Sequence, residues 1–203
     1  MRIEPENSKN KINIIGLSRE ELEDTVEALG LPKFRAKQIR HWVYHQGAKT
    51  FGEMTTLSKS VRAELAQTCS IIRPKITNEQ ISTDKTRKWL LGVNDGGEVE
   101  TVYIPEADRG ALCISSQVGC ALSCKFCHTG TQPLVRNLGA ADIIGQVLIA
   151  RDAYSEWPSP NGGRLISNIV MMGMGEPLLN YENVAKAIKI IRDEEGISIS
   201  KRR

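Results

Sequence analysis

The stretch ALCISSQVGCALSCKFC, residues 111–127, joins an apolar segment to a cluster of thiols. Residues 111–117 begin with the apolar run ALCI and predict a short buried β-strand. The three cysteines that follow, Cys120, Cys124 and Cys127, are spaced C-x3-C-x2-C. The stretch therefore predicts a strand whose carboxyl end leads directly into a thiol-rich loop.

The segments after this loop alternate between helical and strand patterns. They predict an amphipathic helix over residues 140–154, a second buried strand over 167–173 and another helix over 181–196. This order indicates an α/β fold with parallel strands and crossover helices. Active sites in such folds lie in the loops after the strands' carboxyl ends. The cysteine loop and the motif GMGEP (173–177) both fall there.

Two β/α units cannot close a barrel, and two parallel strands make a poor sheet. The last residues, GISISKRR (196–203), end where a third strand is expected. We therefore expect residues 110–203 to be the first units of a partial, truncated (β/α) barrel. We also expect the natural chain to continue past Arg203.

The segments before the loop have different patterns. LSREELEDTVEALG (17–30), KFRAKQIRHWVYHQG (33–47) and LSKSVRAELAQ (57–67) predict three helices, so residues 1–72 are expected to form a small helical domain. Ser18 with Glu21 makes a capping box, and Ser58 caps the third helix. Residues 73–109 alternate with period two around an Asn-Asp-Gly-Gly turn. They predict a β-hairpin connection with strands near 87–93 and 98–104.

The composition limits the class of protein. Apolar residues make up 40% and charged residues 25% of the 203 residues, which is typical of a globular protein, and the net charge is +3. That charge permits a nucleic-acid partner without demonstrating one. The sequence begins without the apolar core of a secretory signal and has no run long enough for a membrane helix. We expect no membrane association and a cytoplasmic location, where clustered thiols act as metal ligands or redox groups.

Two metals suit three clustered cysteines. Zinc in a structural site takes four ligands, which His128 could complete as Cys3His, although the sequence has no second C-x2-C pair. A [4Fe–4S] cluster normally takes four thiolates. With only three from the protein, one iron is left open to bind a small molecule. Three buried apolar cysteines are the remaining alternative.

The longer sequence resembles a known family. VETVYIPEADRGALCISSQVGCALSCKFC (99–127), RNLGAADIIGQVL (136–148) and NIVMMGMGEPLLN (168–180) closely resemble the RlmN/Cfr family of radical S-adenosylmethionine (SAM) RNA adenine methyltransferases. The resemblance implies that Cys120, Cys124 and Cys127 hold a [4Fe–4S] cluster. It also implies that Gly175 and Glu176 contact SAM at its methionine end. Position alone equally allows GMGEP to be an ordinary strand-to-helix turn.

The resemblance assigns two further residues. Cys113 matches the cysteine that forms a transient disulfide with the family's methyl-carrying cysteine, which is expected beyond this chain. Taken alone, Cys113 is a core residue of a buried strand. Glu100 matches the family's proton acceptor, whereas most strand glutamates are simply solvated.

The activity implied is methylation of adenosine C2 in 23S rRNA, and also in tRNA, through a 5′-deoxyadenosyl radical and an external, flavodoxin-like electron donor. The segment CHTGTQ (127–132) favours this type over the Cfr type, which modifies C8. An inactive iron–sulfur or zinc RNA-binding module is the alternative. The helical domain is implied to help hold RNA, although Lys33, Lys37 and Arg40 also fit the solvated face of a helix.

Overall fold

The computed structural model describes residues 11–93, 96–107, 109–160 and 163–200. These residues form a mixed α/β fold of five α-helices and nine strands. The helices are α1 (Arg19–Ala28), α2 (Phe34–Tyr44), α3 (Lys59–Thr68), α4 (Ala140–Ala153) and α5 (Tyr181–Arg192). The strands are β1 (Ile12–Asn13), β2 (Cys69–Ser70), β3 (Lys75–Ile81), β4 (Arg87–Gly92), β5 (Glu98–Pro105), β6 (Gly110–Cys113), β7 (Gln117–Val118), β8 (Arg136–Asn137) and β9 (Ile166–Val170).

The three predicted N-terminal helices are confirmed, with their caps. Ser18 and Glu21 form the predicted capping box at α1. Ser58 accepts a hydrogen bond from the Val61 N–H at the start of α3. The parallel pair β1–β2 joins the beginning of this region to its end, because Ile12 pairs with Cys69. The two ends of this helical region, near residues 12 and 70, therefore lie side by side.

One five-stranded sheet, ordered β3-β4-β5-β6-β9, forms the centre of the molecule. The predicted strand pair is present as β4 and β5. Pairing is antiparallel from β3 to β6 and parallel between β6 and β9, as the strand–helix–strand order predicted. The hairpin continues directly into β6, because Val102 pairs with Cys113. Strand β3 was not predicted, since all of its residues are exposed and its sequence lacks a buried alternation.

Two predicted elements need correction. The strand expected over 111–117 ends at Cys113, and Gln117–Val118 pairs separately with β8. The chain bends between them because Ser115 and Ser116 bond to other loops. Helix α4 was expected to be amphipathic but is buried on nearly all sides. It lies between the sheet and the N-terminal region, where Gly16 packs against Ala141.

The buried apolar residues form one continuous core that runs from α1 and α2 through α4 and the sheet to α5. The helical region and the sheet are therefore packed together. Among the described residues, no helix is long and apolar enough to cross a membrane.

Candidate active site

The cysteine loop is held closed at its base. Gly119 has a φ of +75°, and a Cβ there would lie 2.1 Å from the Pro133 carbonyl oxygen, so only glycine fits. The Cys120 N–H donates to the Gln132 carbonyl at 3.3 Å. At the far side, the Gly130 backbone packs against that of Cys124. These contacts fold residues 119–133 into a compact loop between β7 and β8.

The three thiols of this loop are accessible to solvent to different extents. Cys124 is exposed, whereas Cys120 and Cys127 are partly buried, and all three are free. The Leu122 N–H donates to Cys120 Sγ at 3.4 Å. The pKa of the Cys127 thiol is lowered by hydrogen bonds from backbone N–H groups, first that of Gly130 and then that of Thr129. Such donors favour the thiolate, which is the form that binds metals.

The thiols fit an iron–sulfur cluster by donor type, because soft thiolates are the ligands that iron–sulfur clusters take. The three thiol side chains do not converge on a common point. Across the described ranges, no group of three or more His, Cys, Asp or Glu side chains is gathered as a metal site. That holds equally for the alternative set of three cysteines with His128. The structure thus provides the donors on one closed loop without selecting the metal.

The GMGEP loop packs closely against the segment that leads into the cysteine loop. Gly175 has a φ of +92°, and a Cβ there would lie 2.4 Å from Gln117 Cβ. The Glu176 N–H donates to Gln117 Oε1 at 2.9 Å. Glu176 Oε1 accepts from the Leu178 N–H and caps a short 3-10 helix, Pro177–Asn180, in which Pro177 occupies the first turn. The side chain of Glu176 is therefore oriented by its own helix end.

Several polar residues that the sequence analysis did not single out connect these loops. The Met174 carbonyl accepts from the Ser116 N–H at 2.8 Å, and the Met174 N–H donates to Ser115 Oγ at 2.9 Å. Asn180 Nδ2 donates to the carbonyls of Ser116 and Leu138. Each bond joins residues that are 42 to 64 positions apart in the chain. The two predicted motifs are thus brought together by hydrogen bonds.

Gln146 is another missed residue, and it is fully buried. Its Oε1 accepts from the Ser115 N–H at 2.7 Å and from the Thr101 hydroxyl at 2.9 Å, while its Nε2 donates to the Ser115 carbonyl. Ser115 Oγ in turn donates to the Glu100 carbonyl. The sequence signal that could have identified Gln146 is its place as a polar residue inside the apolar run IIGQVLI (143–149).

Glu100 and Cys113 lie on the same face of the sheet. Val102 pairs with Cys113, and Glu100 precedes Val102 by two residues, so all three side chains point to one side. Burial raises the pKa of the Cys113 thiol. Glu100 Oε1 lies 3.0 Å from Lys88 Nζ, and both side chains are partly exposed. The structure thus brings these two predicted residues to one accessible surface.

The basic N-terminal segment is largely paired with acids. Arg40 is 1% exposed and bonds to Asp193 at 2.6 Å. Lys33 and Lys37 pair with Glu27 and Glu195 respectively. Arg40 is therefore unable to reach a phosphate, whereas Lys33, Arg35 and Lys37 remain at least partly exposed.

Comparison with known proteins agrees with this geometry. Residues 12–71 match the family model of the ribosomal RNA large subunit methyltransferase N-terminal domain, RlmN_N. The chain is 62% identical over 193 residues to a dual-specificity RNA methyltransferase RlmN from Rhodospirillum rubrum, covering 95% of this chain and 45% of that protein. It is 60% identical over 195 residues to the RlmN of Gluconobacter oxydans, covering 94% and 48%. The chain spans about half the length of the curated relatives it matches.

A crystal structure of a radical SAM methyltransferase from Sphaerobacter thermophilus superposes with a TM-score of 0.84 at 40% identity, covering 95% of this chain and 55% of that one. The described mixed α/β fold is thus structurally close to that of a radical SAM methyltransferase. Over nearly its whole length the chain is similar to RlmN proteins, and residues 12–71 match the model of their N-terminal domain.

Proposed function

We propose that this chain acts in a radical SAM methyltransferase that methylates adenosine C2 in 23S rRNA and in tRNA. The observation that supports it is the joining of the cysteine loop and the GMGEP loop at the carboxyl ends of two adjacent parallel strands, β6 and β9. The names of the relatives, dual-specificity RNA methyltransferases, point to RNA as the substrate. In this proposal, β6, α4, β9 and α5 are the first two units of a partial barrel.

The loop thiols of Cys120, Cys124 and Cys127 would hold a [4Fe–4S] cluster. When bound, such a cluster with one open iron supplies the electron that breaks the C–S bond of SAM. A flavodoxin-like protein would supply that electron. Gly175 would let the methionine end of SAM approach the backbone, and the Glu176 carboxylate would accept from its ammonium group. The Gln117 side chain holds the Glu176 backbone for this contact.

Glu100 and Cys113 would act on the RNA from the shared sheet face. The Glu100 carboxylate would accept the proton from the adenine ring, for which it must lie within hydrogen-bond reach of that atom. The Cys113 thiolate would attack the sulfur of the methyl-carrying cysteine and form a transient disulfide. The bond between that sulfur and the carbon attached to the adenine would break, and this carbon would keep the electron pair and take up a proton to become the methyl group of the product. The location proposed for this work is the cytoplasm, where ribosomal RNA and tRNA function.

The cluster is tested by metal analysis of protein purified without oxygen. We expect about four irons and as many sulfides per chain. The Cys124→Ala variant should lose most of the iron, because two thiolates no longer retain the cluster. Cys69→Ala is the matched control, since Cys69 is a buried thiol at the end of α3, outside the loop. Zinc in place of iron would support an inactive RNA-binding module and overturn the proposal.

The reaction is tested by mass spectrometry of nucleosides after incubation with 23S rRNA or tRNA, SAM and a reduced flavodoxin. The expected product is 2-methyladenosine, whereas 8-methyladenosine would assign the Cfr type instead. The Cys113→Ala variant should accumulate protein linked covalently to RNA, because nothing then releases the adduct. Product formation at the normal rate by this variant would remove Cys113 from the mechanism.

A further inference from the structure

A shallow pocket lies on the sheet face beside Glu100. It is lined by the side chains of five residues, which we call the hairpin face: Asn78, Gln80, Lys88, Leu90 and Glu100. They come from the three successive antiparallel strands β3, β4 and β5. The opposite side of β4 and β5 is buried, with Trp89, Leu91 and Val99 in the core, whereas β3 is exposed on both sides. The hairpin face is therefore the open side of β4 and β5, extended by β3.

The strand register makes this face continuous with Cys113. One row across the sheet runs Gln80, Lys88, Val102, Cys113, because each residue pairs with the next. The neighbouring row runs Asn78, Leu90, Glu100. Paired residues project to the same side of a sheet. A molecule that reaches both Glu100 and Cys113 therefore meets Lys88 and the two amides as it extends toward the sheet edge.

The chemistry of the hairpin face suits a nucleotide. Asn78 and Gln80 provide amide donors and acceptors, Lys88 a positive charge and Leu90 an apolar surface. The Asn78 side-chain oxygen accepts from the Glu79 N–H at 2.8 Å, and the Asn78 amide N–H groups donate to none of the described residues. Lys88 pairs with Glu100 at 3.0 Å, but 40% of the Lys88 side chain is exposed. Solvent-exposed ion pairs of this kind are weak, so a phosphate can compete for the lysine.

We propose that the hairpin face binds the nucleotide next to the target adenosine in a single-stranded RNA. Lys88 contacts its phosphate, the Asn78 and Gln80 amides contact its base edge or ribose hydroxyl, and Leu90 packs on the base. This inference rests on the proposed function, because it takes Glu100 and Cys113 as the residues that meet the target base. Strands β3 and β5 are about 10 Å apart at the usual spacing, which leaves room for one nucleotide beside the target. Sequence-specific RNA recognition usually works on such unstacked nucleotides.

The test is the salt dependence of RNA binding, measured by fluorescence anisotropy with a labelled single-stranded oligonucleotide. Loss of one phosphate contact lowers the slope of log affinity against log salt by about 0.7 for a single strand. We expect this decrease for Lys88→Gln and its recovery in Lys88→Arg. Lys85→Gln is the matched control, since Lys85 lies in the β3–β4 turn and outside the hairpin face. It removes the same charge from the same hairpin and should leave the slope unchanged.

The amides are tested with the double variant Asn78→Ala, Gln80→Ala. We expect weaker binding at every salt concentration with an unchanged slope, because no charge is lost.

Equal slopes for wild type and Lys88→Gln, or equal effects of Lys88→Gln and Lys85→Gln, would overturn the inference. Iron content and methylation measured on the same preparations separate the two ideas. If the protein holds no cluster but Lys88→Gln still lowers the salt slope, the proposed function is refuted and the RNA-binding site stands. If the protein methylates RNA but Lys88→Gln leaves the salt slope unchanged, the RNA-binding site is refuted.

Discussion

Single residues decide how closely the two loops of the candidate site approach each other. Gly175 adopts a left-handed backbone conformation and also touches Gln117, so it meets two separate requirements. Gly30, at the end of α1, has a φ of +72° but nothing within 4 Å of a Cβ built there. Comparing substitutions at Gly175 and Gly30 therefore separates the cost of the backbone conformation from the cost of steric overlap.

We predict that Gly175→Ala destabilises the protein more than Gly30→Ala. A left-handed conformation costs a non-glycine residue about 1–2 kcal/mol, which both variants incur. Overlap with Gln117 should add about 1–3 kcal/mol for Gly175→Ala alone. Urea denaturation of both variants measures the difference in the free energy of unfolding. Equal losses would mean that the GMGEP loop moves away from Gln117 without cost.

At the scale of elements, Gln146 on α4 bonds to the middle of β5 and to the segment that follows β6. This side chain is fully buried and bonds to the Ser115 backbone after β6 and to Thr101 on β5. Ser115 then bonds to Met174 in the GMGEP loop and to the Glu100 carbonyl. One helical side chain thus connects the strand that bears Glu100, the root of the cysteine loop and the GMGEP loop.

We predict that Gln146→Leu destabilises the protein by about 3 kcal/mol or more, because it leaves several buried polar groups without partners at about 1–3 kcal/mol each. Hydrogen exchange should accelerate at the Ser115 and Met174 amides. The matched control is Gln67→Leu, the same change at an exposed position of α3, where the expected effect is within about 0.5 kcal/mol. Unchanged exchange at both amides in Gln146→Leu would show that α4 does not position the loops.

At the scale of the whole molecule, buried arginines fasten the N-terminal helical region to the β/α units. Arg40 on α2 bonds to Asp193 after α5. Arg151 on α4 donates to the Tyr44 carbonyl at 2.8 Å, and burial lowers its pKa to about 10, so it remains charged at neutral pH. Arg73 pairs with Asp152 and also donates to the Gly47 carbonyl. The helical region is therefore held in a fixed position relative to the loops.

We predict that Asp193→Ala costs about 3 kcal/mol, the lower end for removing one partner of a buried pair, because Asp193 is itself one-third exposed. Arg40→Met should cost less, since it leaves no buried charge behind. Lys37→Met, which removes an exposed pair with Glu195, should cost less than about 1 kcal/mol. Thermal unfolding of the three variants gives the order. If Asp193→Ala proved as mild as Lys37→Met, Arg40 would have to find water or another acceptor in the folded protein.

Local patterns were sufficient for much of the fold. The caps at Ser18 and Ser58, the paired strands β4 and β5 and the strand–helix–strand order around the cysteine loop could all be predicted. Each of these depends on neighbours within about one helical turn or one hairpin, so the sequence encodes it directly. The three thiols of the candidate site could also be predicted to lie on one loop, because Cys120, Cys124 and Cys127 are close in the chain.

Long-range packing decided the remainder. Strand β3 forms only because β4 offers it a free edge, and its exposed residues leave no apolar alternation to detect. Arg40 looked like a solvated helical cation and is buried because Asp193, 153 residues away, lies beside it. The shared face of Glu100 and Cys113 depends on the register between β5 and β6. The local patterns of the sequence determined most of the helices and strands and the cluster of thiols. Tertiary packing alone selected which residues bond to each other across the molecule, because residues distant in the chain become neighbours only when the core forms.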